Sequence, residues 1–370
     1  MKIVIFCHSL VSDWNHGNAH FLRGVSRELI ARGHEVEVWE PRGGWSRSNL
    51  IAAAGPEAER RFAEVFPELS SREYDLATLD LDQVLDGCDL VLVHEWTDPA
   101  LVARIGRHRQ AARDYRLLFH DTHHRAVSRP EEMARFDLSG FDGVLAFGEV
   151  IRQIYLARGW TERAWTWHEA ADTRRFYPHE PPASRDDLVW VGNWGDGERT
   201  AELKEYLFAP ARALHLSGSI FGVRYPRRAR WRIRRSGLRY RGWLANDQVP
   251  AVFARHRLTV HIPRGPYVRA LPGIPTIRVF EALACGIPLV CSPWDDAEGL
   301  FSPGEDYLVA HSGGEMTSLL AELLADRGRA QTLADHGLQT IRSRHTCAHR
   351  VEELLTIAGE LEASTLGERT

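Results

Sequence analysis

The stretch PGIPTIRVFEALACGIPLVC, Pro272 to Cys291, decides how the rest of this chain is read. Just before it, Leu258 to Ile262 is a short apolar run with the length and β-branching of a buried strand. A Gly/Pro-rich loop follows from Pro263 to Pro275. Ile277, Phe280, Leu283 and Ala284 then recur at spacings of three, six and seven, which predicts one apolar stripe on a short helix. Pro275 suits the entry to that helix and Gly286 its exit, with Ile287 to Cys291 as the next strand. The product is a strand, loop, helix, strand unit whose loop opens onto the amino end of a helix.

Such a helix start attracts anions, because its first amides, around Thr276 and Ile277, are unpaired and carry partial positive charge. Thr276 adds a hydroxyl, and Arg278 adds a permanent cation able to grip phosphate bidentately. Glu281 stands one turn inside, and helical side chains lean toward the amino end, so its carboxylate can reach back beside the anion. There it would repel phosphate but suit the paired hydroxyls of a ribose. The competing reading is an ordinary βαβ crossover with Arg278 and Glu281 as a surface pair.

RVFEALACGIPLV, followed by SPWDDAEGLFSPGEDYLVA, resembles the donor-nucleotide region of GT-B glycosyltransferases, closest to the retaining family-4-like enzymes and their CgeB-type (spore-maturation) relatives. The resemblance implies an α/β chain of GT-B architecture: two Rossmann-like, doubly wound parallel-sheet domains with an interdomain cleft. In that pattern the acid matching Glu281 holds the ribose of a sugar nucleotide, and a second acid sits eight positions earlier. Here that position is Gly273, so the acidic pair is broken.

The 370 residues are enough for two domains with sizeable cores. A formal charge of −4 argues against a general nucleic-acid binder. The five cysteines (Cys7, Cys88, Cys285, Cys291, Cys347) are odd in number and lack paired metal spacing, which points to reduced thiols in a cytosol. Met1 runs directly into KIVIFC without a signal peptide, and no apolar run is long enough to span a bilayer.

The first half alternates strands and helices. Ile3 to Cys7 reads as a strand, Ala19 to Ala31 as a helix closed by Gly33, and Glu35 to Trp39 as the next strand. Later strands are Leu90 to His94, Arg116 to His120 and Gly143 to Phe147. This order predicts a parallel sheet with helices on both faces, and ligands beyond the strands' carboxyl ends. The residues expected there are polar and rich in histidine: His16, Gly17, Asn18 and His20 after the first strand, then His94 and Glu95 after a later one. The resemblance makes the first loop acceptor-side.

His120-Asp121-Thr122-His123-His124 is the densest titratable cluster and carries three readings. A metal site needs ligands at defined spacing, whereas these lie in one short loop, and GT-B enzymes usually need no metal. Histidine's near-neutral pKa at a strand's end suits general acid/base work or acceptor orientation, with His120 and Asp121 the catalytic candidates. Loop histidines bonded to backbone carbonyls are the third reading.

His168 to Asp172, ending in RRFYP, matches the family's crossing into a second domain, and the proline-bearing segment from Pro178 to Asp187 reads as a linker. Expected domains are 1–170 on the acceptor side and 171–345 on the donor side, with a terminal helix in 346–370 crossing back to the first. Leu188 to Val191 leads into Gly192-Asn193-Trp194-Gly195-Asp196-Gly197 and a helix from Glu198 to Phe208, a phosphate-friendly arrangement without P-loop spacing. The family places an arginine where this chain has Asn193; Arg199, then Lys204, are the candidate replacement cations. RYRGWL, Arg239 to Leu244, matches the family's nucleobase segment, with Gly242, Trp243 and Leu244 against the base.

Arg224 to Arg241 holds nine arginines and no acids. It reads either as a surface for an anionic acceptor or acidic lipid, with Trp231 and Ile233 inserted, or as a solvated helix and loop.

Together these features predict a cytoplasmic transferase, with membrane association through Arg224–Arg241 left open. It would move a sugar, hexosyl-type, from a nucleotide-sugar donor (UDP, GDP, ADP or dTDP) to a small-molecule, glycan or peptide acceptor, without nucleic acid, metal or other cofactor. Retention of configuration is implied by the resemblance alone, and Gly273 removes an acid that would support it. A noncatalytic nucleotide- or glycan-binding protein, a sugar-nucleotide epimerase and a phosphorylase on the same fold are the alternatives.

Overall fold

Two parallel sheets, each arranged around its first strand, carry the chain. The computed structural model describes residues 1–111, 114–195 and 197–368; Asp196 of the glycine-rich turn lies outside them. The chain divides into two compact units, one of Met1–Glu169 together with the terminal helix that begins at Cys347, the other of Ala170–Thr346.

The first unit holds β1 (Lys2–Phe6), β2 (Glu35–Pro41), β3 (Ser71–Tyr74), β4 (Leu90–His94), β5 (Arg116–Asp121), β6 (Gly143–Ala146) and β7 (Ala164–Thr166). They lie in the order β3-β2-β1-β4-β5-β6-β7, all parallel. Strands β1, β4 and β6 are buried almost residue by residue, as parallel strands covered on both faces must be. Helix α1 (Ala19–Ala31) buries Phe21, Leu22, Val25 and Leu29 and ends at Gly33, whose φ is +84°. The terminal helix packs on α1 within this unit, and Arg32 pairs with Glu352 at 2.7 Å.

The second unit holds β8 (Asp186–Val191), β9 (Gly218–Phe221), β10 (Arg239–Gly242), β11 (His256–His261), β12 (Leu289–Cys291) and β13 (Leu308–Val309). Their order is β10-β9-β8-β11-β12-β13, again all parallel. In both sheets the order reverses beside the first strand, between β1 and β4 and between β8 and β11. Loops diverge at such a switch point and leave a crevice at the strands' carboxyl ends. Helix α2 (Arg227–Arg235) sits by the edge strand β10. Helix α3 (Ile277–Ala284) buries Ile277, Phe280 and Leu283 to 5% exposure or less, each worth about 1.5–3 kcal/mol at most.

Three local expectations change. The loop before α3 contains a helical turn, Gly265–Ala270. The helix expected from Glu198 to Phe208 is split into Thr200–Leu203, a π-helical Lys204–Phe208 and Ala209–Ala213. Pro210 offers no amide to the preceding turn, and the register widens just ahead of it. Strand β5 ends at Asp121 and not at His120, so these two successive side chains diverge to opposite faces of the sheet and do not share a loop. No helix among the described residues is long and apolar enough to cross a membrane.

Candidate functional site

In the second unit, the loops after β8 and β9 and the strand β10 are bonded into one layer. Tyr225 donates its hydroxyl to Gly192 O at 2.7 Å, Tyr240 to Gly222 O at 2.8 Å, and Val223 N donates to Asn193 Oδ1 at 2.9 Å. Gly222 has φ +147°, and a Cβ there would stand 2.1 Å from Gly192 O, so the close approach of these turns requires glycine. Asn193 therefore serves as a brace, its side-chain oxygen already holding a backbone amide.

Arg199 is 8% exposed and closes the crevice between β8 and β11. Its guanidinium donates to Ile262 O at 2.8 Å and to Asn193 O, and lies over the Trp190 ring at 5.1 Å. Burial first, then the nearby positive charges of Arg264 and Arg278, bring its pKa down to about 10, with Tyr225 and Glu198 acting against the shift. A Cβ on Gly195 would stand 3.3 Å from Arg199 Nε and 3.7 Å from Arg264 Nε. Arg199 and Arg264 thus meet beside Gly195, and Arg278 is near enough for its charge to act on Arg199. Arg264 also pairs with Glu198 at 2.5 Å. Lys204 is exposed on the π-helical turn.

Helix α3 begins beside them. Thr276 is its N-cap, yet the hydroxyl makes no capping bond and instead contacts Nε2 of His261 at 3.0 Å. His261 is 3% exposed, and desolvation with the charge of Arg199 lowers its pKa to about 3. Glu281 is wholly buried. It accepts from Asn246 Nδ2 at 2.7 Å through Oε1 and from Arg278 through Oε2. Arg278 and Glu281 are paired, but the acid is interior and the pair is not a surface one. Gly242, Trp243 and Leu244 are each half-buried after β10. Gly273, with φ +83°, donates its amide to Asp295 O at 2.7 Å. A Cβ at this position would meet Glu298 Oε1 at 2.6 Å, so the space of the absent side chain is filled by another carboxylate.

In the first unit, a polar network lies at the switch point between β1 and β4. Asn18 occupies the N-cap of α1 but does not cap it. Its amide is spent on His94 Nε2 and Thr122 Oγ1, both at 2.8 Å. Thr122 donates to Glu95 Oε1 at 3.1 Å. His94 Nδ1 and Glu95 Oε2 stand 2.8 Å apart without the alignment of a hydrogen bond. An acceptor at Nε2 requires the neutral Nδ1–H tautomer, and burial, aided by Arg125, does hold the His94 pKa at about 3. Burial raises Glu95 to about 7, against the opposing pull of Arg125.

His8 and His16 line the same loop with ring centroids 3.8 Å apart, and His16 Nε2 contacts Ser9 O at 3.0 Å. Burial lowers both, His8 to about 3. Gly17 is half-buried, and His20 is buried in the first turn of α1. His120 packs on Trp167 and Phe21, with ring distances of 4.7 and 5.9 Å. With His94 these rings border a cavity of about 10 Å³, room for roughly one water. Asp121 faces away. It accepts from Tyr155 OH and from the His123 amide, each at 2.9 Å. Burial, then the neighbouring Glu95, pushes Asp121 up to about 7. Arg125 reaches Glu95 O at 2.5 Å and covers the exposed Trp96 ring at 4.0 Å.

The structure brings Asn18, His94 and Glu95 together with Thr122 of the histidine-rich cluster, and adds Arg125, which sequence reasoning passed over although it directly follows that cluster. Arg264 was also missed; it lies three residues past β11, within reach of a search just after each strand. Asn246 and Glu298 gave no local signal, because their partners lie far away in sequence.

Residues 199–356 match the family model described as glycosyl transferase-like. A comparison with curated proteins gives no match. Several solved structures are similar over nearly the whole chain. Sucrose-phosphate synthase from Thermosynechococcus elongatus aligns at TM-score 0.67 and 15% identity, covering 98% of this chain and 100% of that one. An alpha-glucosyltransferase in complex with UDP aligns at 0.69 and 12%, covering 97% and 100%. HepE from Anabaena in complex with UDP aligns at 0.67 and 14%, covering 97% and 100%. The likeness establishes the GT-B fold, two Rossmann-like units built on parallel sheets.

Proposed function

We propose that this chain is a GT-B glycosyltransferase that takes a nucleoside-diphosphate sugar and passes its glycosyl group to a hydroxylated acceptor. The observation that carries the reading is the meeting of Arg199 and Arg264 at the β8/β11 switch point, with Arg278 near enough for its charge to act on Arg199. A leaving nucleoside diphosphate gains negative charge as its bond to the sugar breaks, and fixed guanidiniums answer that charge. The chain's own arginines take that role, so metal-independent transfer is the reading. UDP is the nucleotide to test first, because the alpha-glucosyltransferase and HepE structures hold it.

Within the donor site, the diphosphate rests on the Gly192–Asn193 turn and the first amides of α3, and Gly242 to Leu244 wall the base. Glu281 holds Arg278 and Asn246, and in this reading its carboxylate is the group set against the ribose. Glu298 supplies the carboxylate at the place left open by Gly273. In the first unit, His94, Thr122 and Glu95 orient an acceptor hydroxyl, and His120 and Asp121 act behind them as positioning residues. The CgeB-type branch, the hexosyl class and retention of configuration belong to the same reading.

One observation favours a binding protein without turnover: Arg278 is closed onto Glu281. Incubation with UDP-glucose, followed by mass spectrometry and anomeric NMR, separates the readings. A transferase releases UDP in proportion to glycosylated acceptor, or slowly to water. An epimerase isomerises the sugar with no UDP released, a phosphorylase needs inorganic phosphate, and a binder leaves the donor intact.

A further inference from the structure

Helix α2 has the sequence RRARWRIRR, Arg227 to Arg235. Its only buried residues are Ala229 and Ile233, at 1% exposure each, four positions apart on one face. This corrects the sequence expectation that Ile233 inserts into a lipid surface; it belongs to the core of the second unit. With Ala229 and Ile233 fixed inward, a pitch of 3.6 residues sets Trp231 at the centre of the outward crest, with Arg227 and Arg234 along one side of it and Arg228 and Arg235 along the other. Trp231 is 58% exposed, and the Arg235 guanidinium lies 4.6 Å from its ring centroid. Arg230 is the exception: it turns back to Tyr225 O at 3.1 Å and over Tyr240. Beside the helix, the edge strand β10 exposes Arg239 and Arg241. Arg239 is neutralised by Asp186, whereas Arg227, Arg228, Arg232, Arg234, Arg235 and Arg241 form no ion pair with any described residue.

A chain with a net charge of −4 therefore concentrates unpaired positive charge on one convex ridge. Like charges this close repel one another, so the arrangement is held at a cost that an anionic partner would relieve. The crest is about 13 Å long, straight, and crowned by an indole, which prefers the polar–apolar boundary of a bilayer. We propose that α2, with β10 beside it, docks the chain on an anionic lipid surface, with Trp231 at headgroup depth and the crest arginines on lipid phosphates. The proposal is independent of the transfer reading, since no crest residue belongs to the donor site.

Sedimentation of the full chain with vesicles, without donor or acceptor, tests it. Vesicles of phosphatidylcholine alone should leave the protein in solution, and vesicles containing phosphatidylglycerol should pull it down, less so as salt rises. Each crest arginine removed should weaken binding about fivefold, so the combined Arg227→Gln, Arg228→Gln, Arg234→Gln, Arg235→Gln variant should lose more than about a hundredfold. Trp231→Ala should lose a smaller factor and keep the wild-type melting curve. Equal binding to neutral and anionic vesicles overturns the proposal, as does a folded four-site variant that sediments like wild type. Tighter arginine-dependent binding to single- or double-stranded DNA than to anionic vesicles, read by anisotropy, overturns it in favour of nucleic acid. If the four-site variant does not fold, the salt dependence of the wild type decides alone, and salt-insensitive sedimentation counts against docking.

Discussion

Asn246 donates its side-chain amide to Glu281 Oε1 at 2.7 Å, and Glu281 has no solvent exposure. The bond ties the segment after β10 to the helix that follows β11, and it leaves Oε2 for Arg278. Replacing Asn246 by Leu removes a hydrogen bond to a buried carboxylate, which costs about 1–3 kcal/mol. Urea unfolding of Asn246→Leu should show that loss. A midpoint unchanged from wild type would remove Asn246 from the account of this site.

Gly273 combines a left-handed backbone with a neighbour in its side-chain space. Gly273→Ala should lose about 1–2 kcal/mol from the backbone alone, plus a steric part against Glu298. Adding Glu298→Ala should recover only the steric part. Full recovery in the double variant would mean that the positive φ carries no penalty.

Arg199 spans two backbone carbonyls with one rigid fork. A lysine offers a single point of attachment and leaves one carbonyl unpaired. Arg199→Lys should therefore lose stability by about 1–3 kcal/mol despite keeping its charge. Thermal melting that matches wild type would show that charge, and not geometry, is what position 199 supplies.

The buried titratable groups of the first unit oppose each other in pH. His8 and His94 are held at about 3, well below 6.5. Unfolding at mildly acidic pH lets them take up protons, so their contribution is present above about 6.5 and is lost as pH falls toward 3. Glu95 and Asp121 are raised to about 7. Their contribution is full below the ordinary carboxylate range and is lost as pH rises through about 7. Glu95→Gln cannot ionise, so its melting temperature should gain on wild type between about pH 5 and pH 8. The same substitution removes a negative charge that raises Asp121, and should move that carboxyl down. Parallel melting curves at all pH values would contradict the burial of an ionising Glu95.

Much of this molecule is legible in its sequence. Ala19–Ala31 and the α3 stripe follow from apolar spacing, and strand–helix alternation is enough for two parallel sheets. The edges of elements were harder. Asp121 extends β5 by one residue past the expected end at His120, because the parallel ladder with β6 continues to Asp121, a pairing that no local residue announces. The placement of candidate residues was legible beside the end of a strand, as with His94 and Glu95. It was illegible where a residue acts through a distant partner. Nothing near Glu298 points to Gly273, and nothing near Asn246 points to Glu281. The side-chain amide of Asn18 bonds His94 and Thr122, partners 76 and 104 residues away that its own loop does not announce.

The most direct test of a nucleotide-sugar site built on Arg199, Arg264 and Arg278 is calorimetric titration of UDP into the full chain and into Arg264→Ala. Arg264 is exposed enough to be removed without opening the core, and a charge-assisted bond to phosphate is worth about 1.5–3 kcal/mol. Wild type should bind UDP, and Arg264→Ala should bind it about tenfold or more weakly, with the melting temperature in the absence of UDP unchanged. Equal affinity of the two proteins, or no binding of UDP, GDP, ADP or dTDP by wild type, would contradict it.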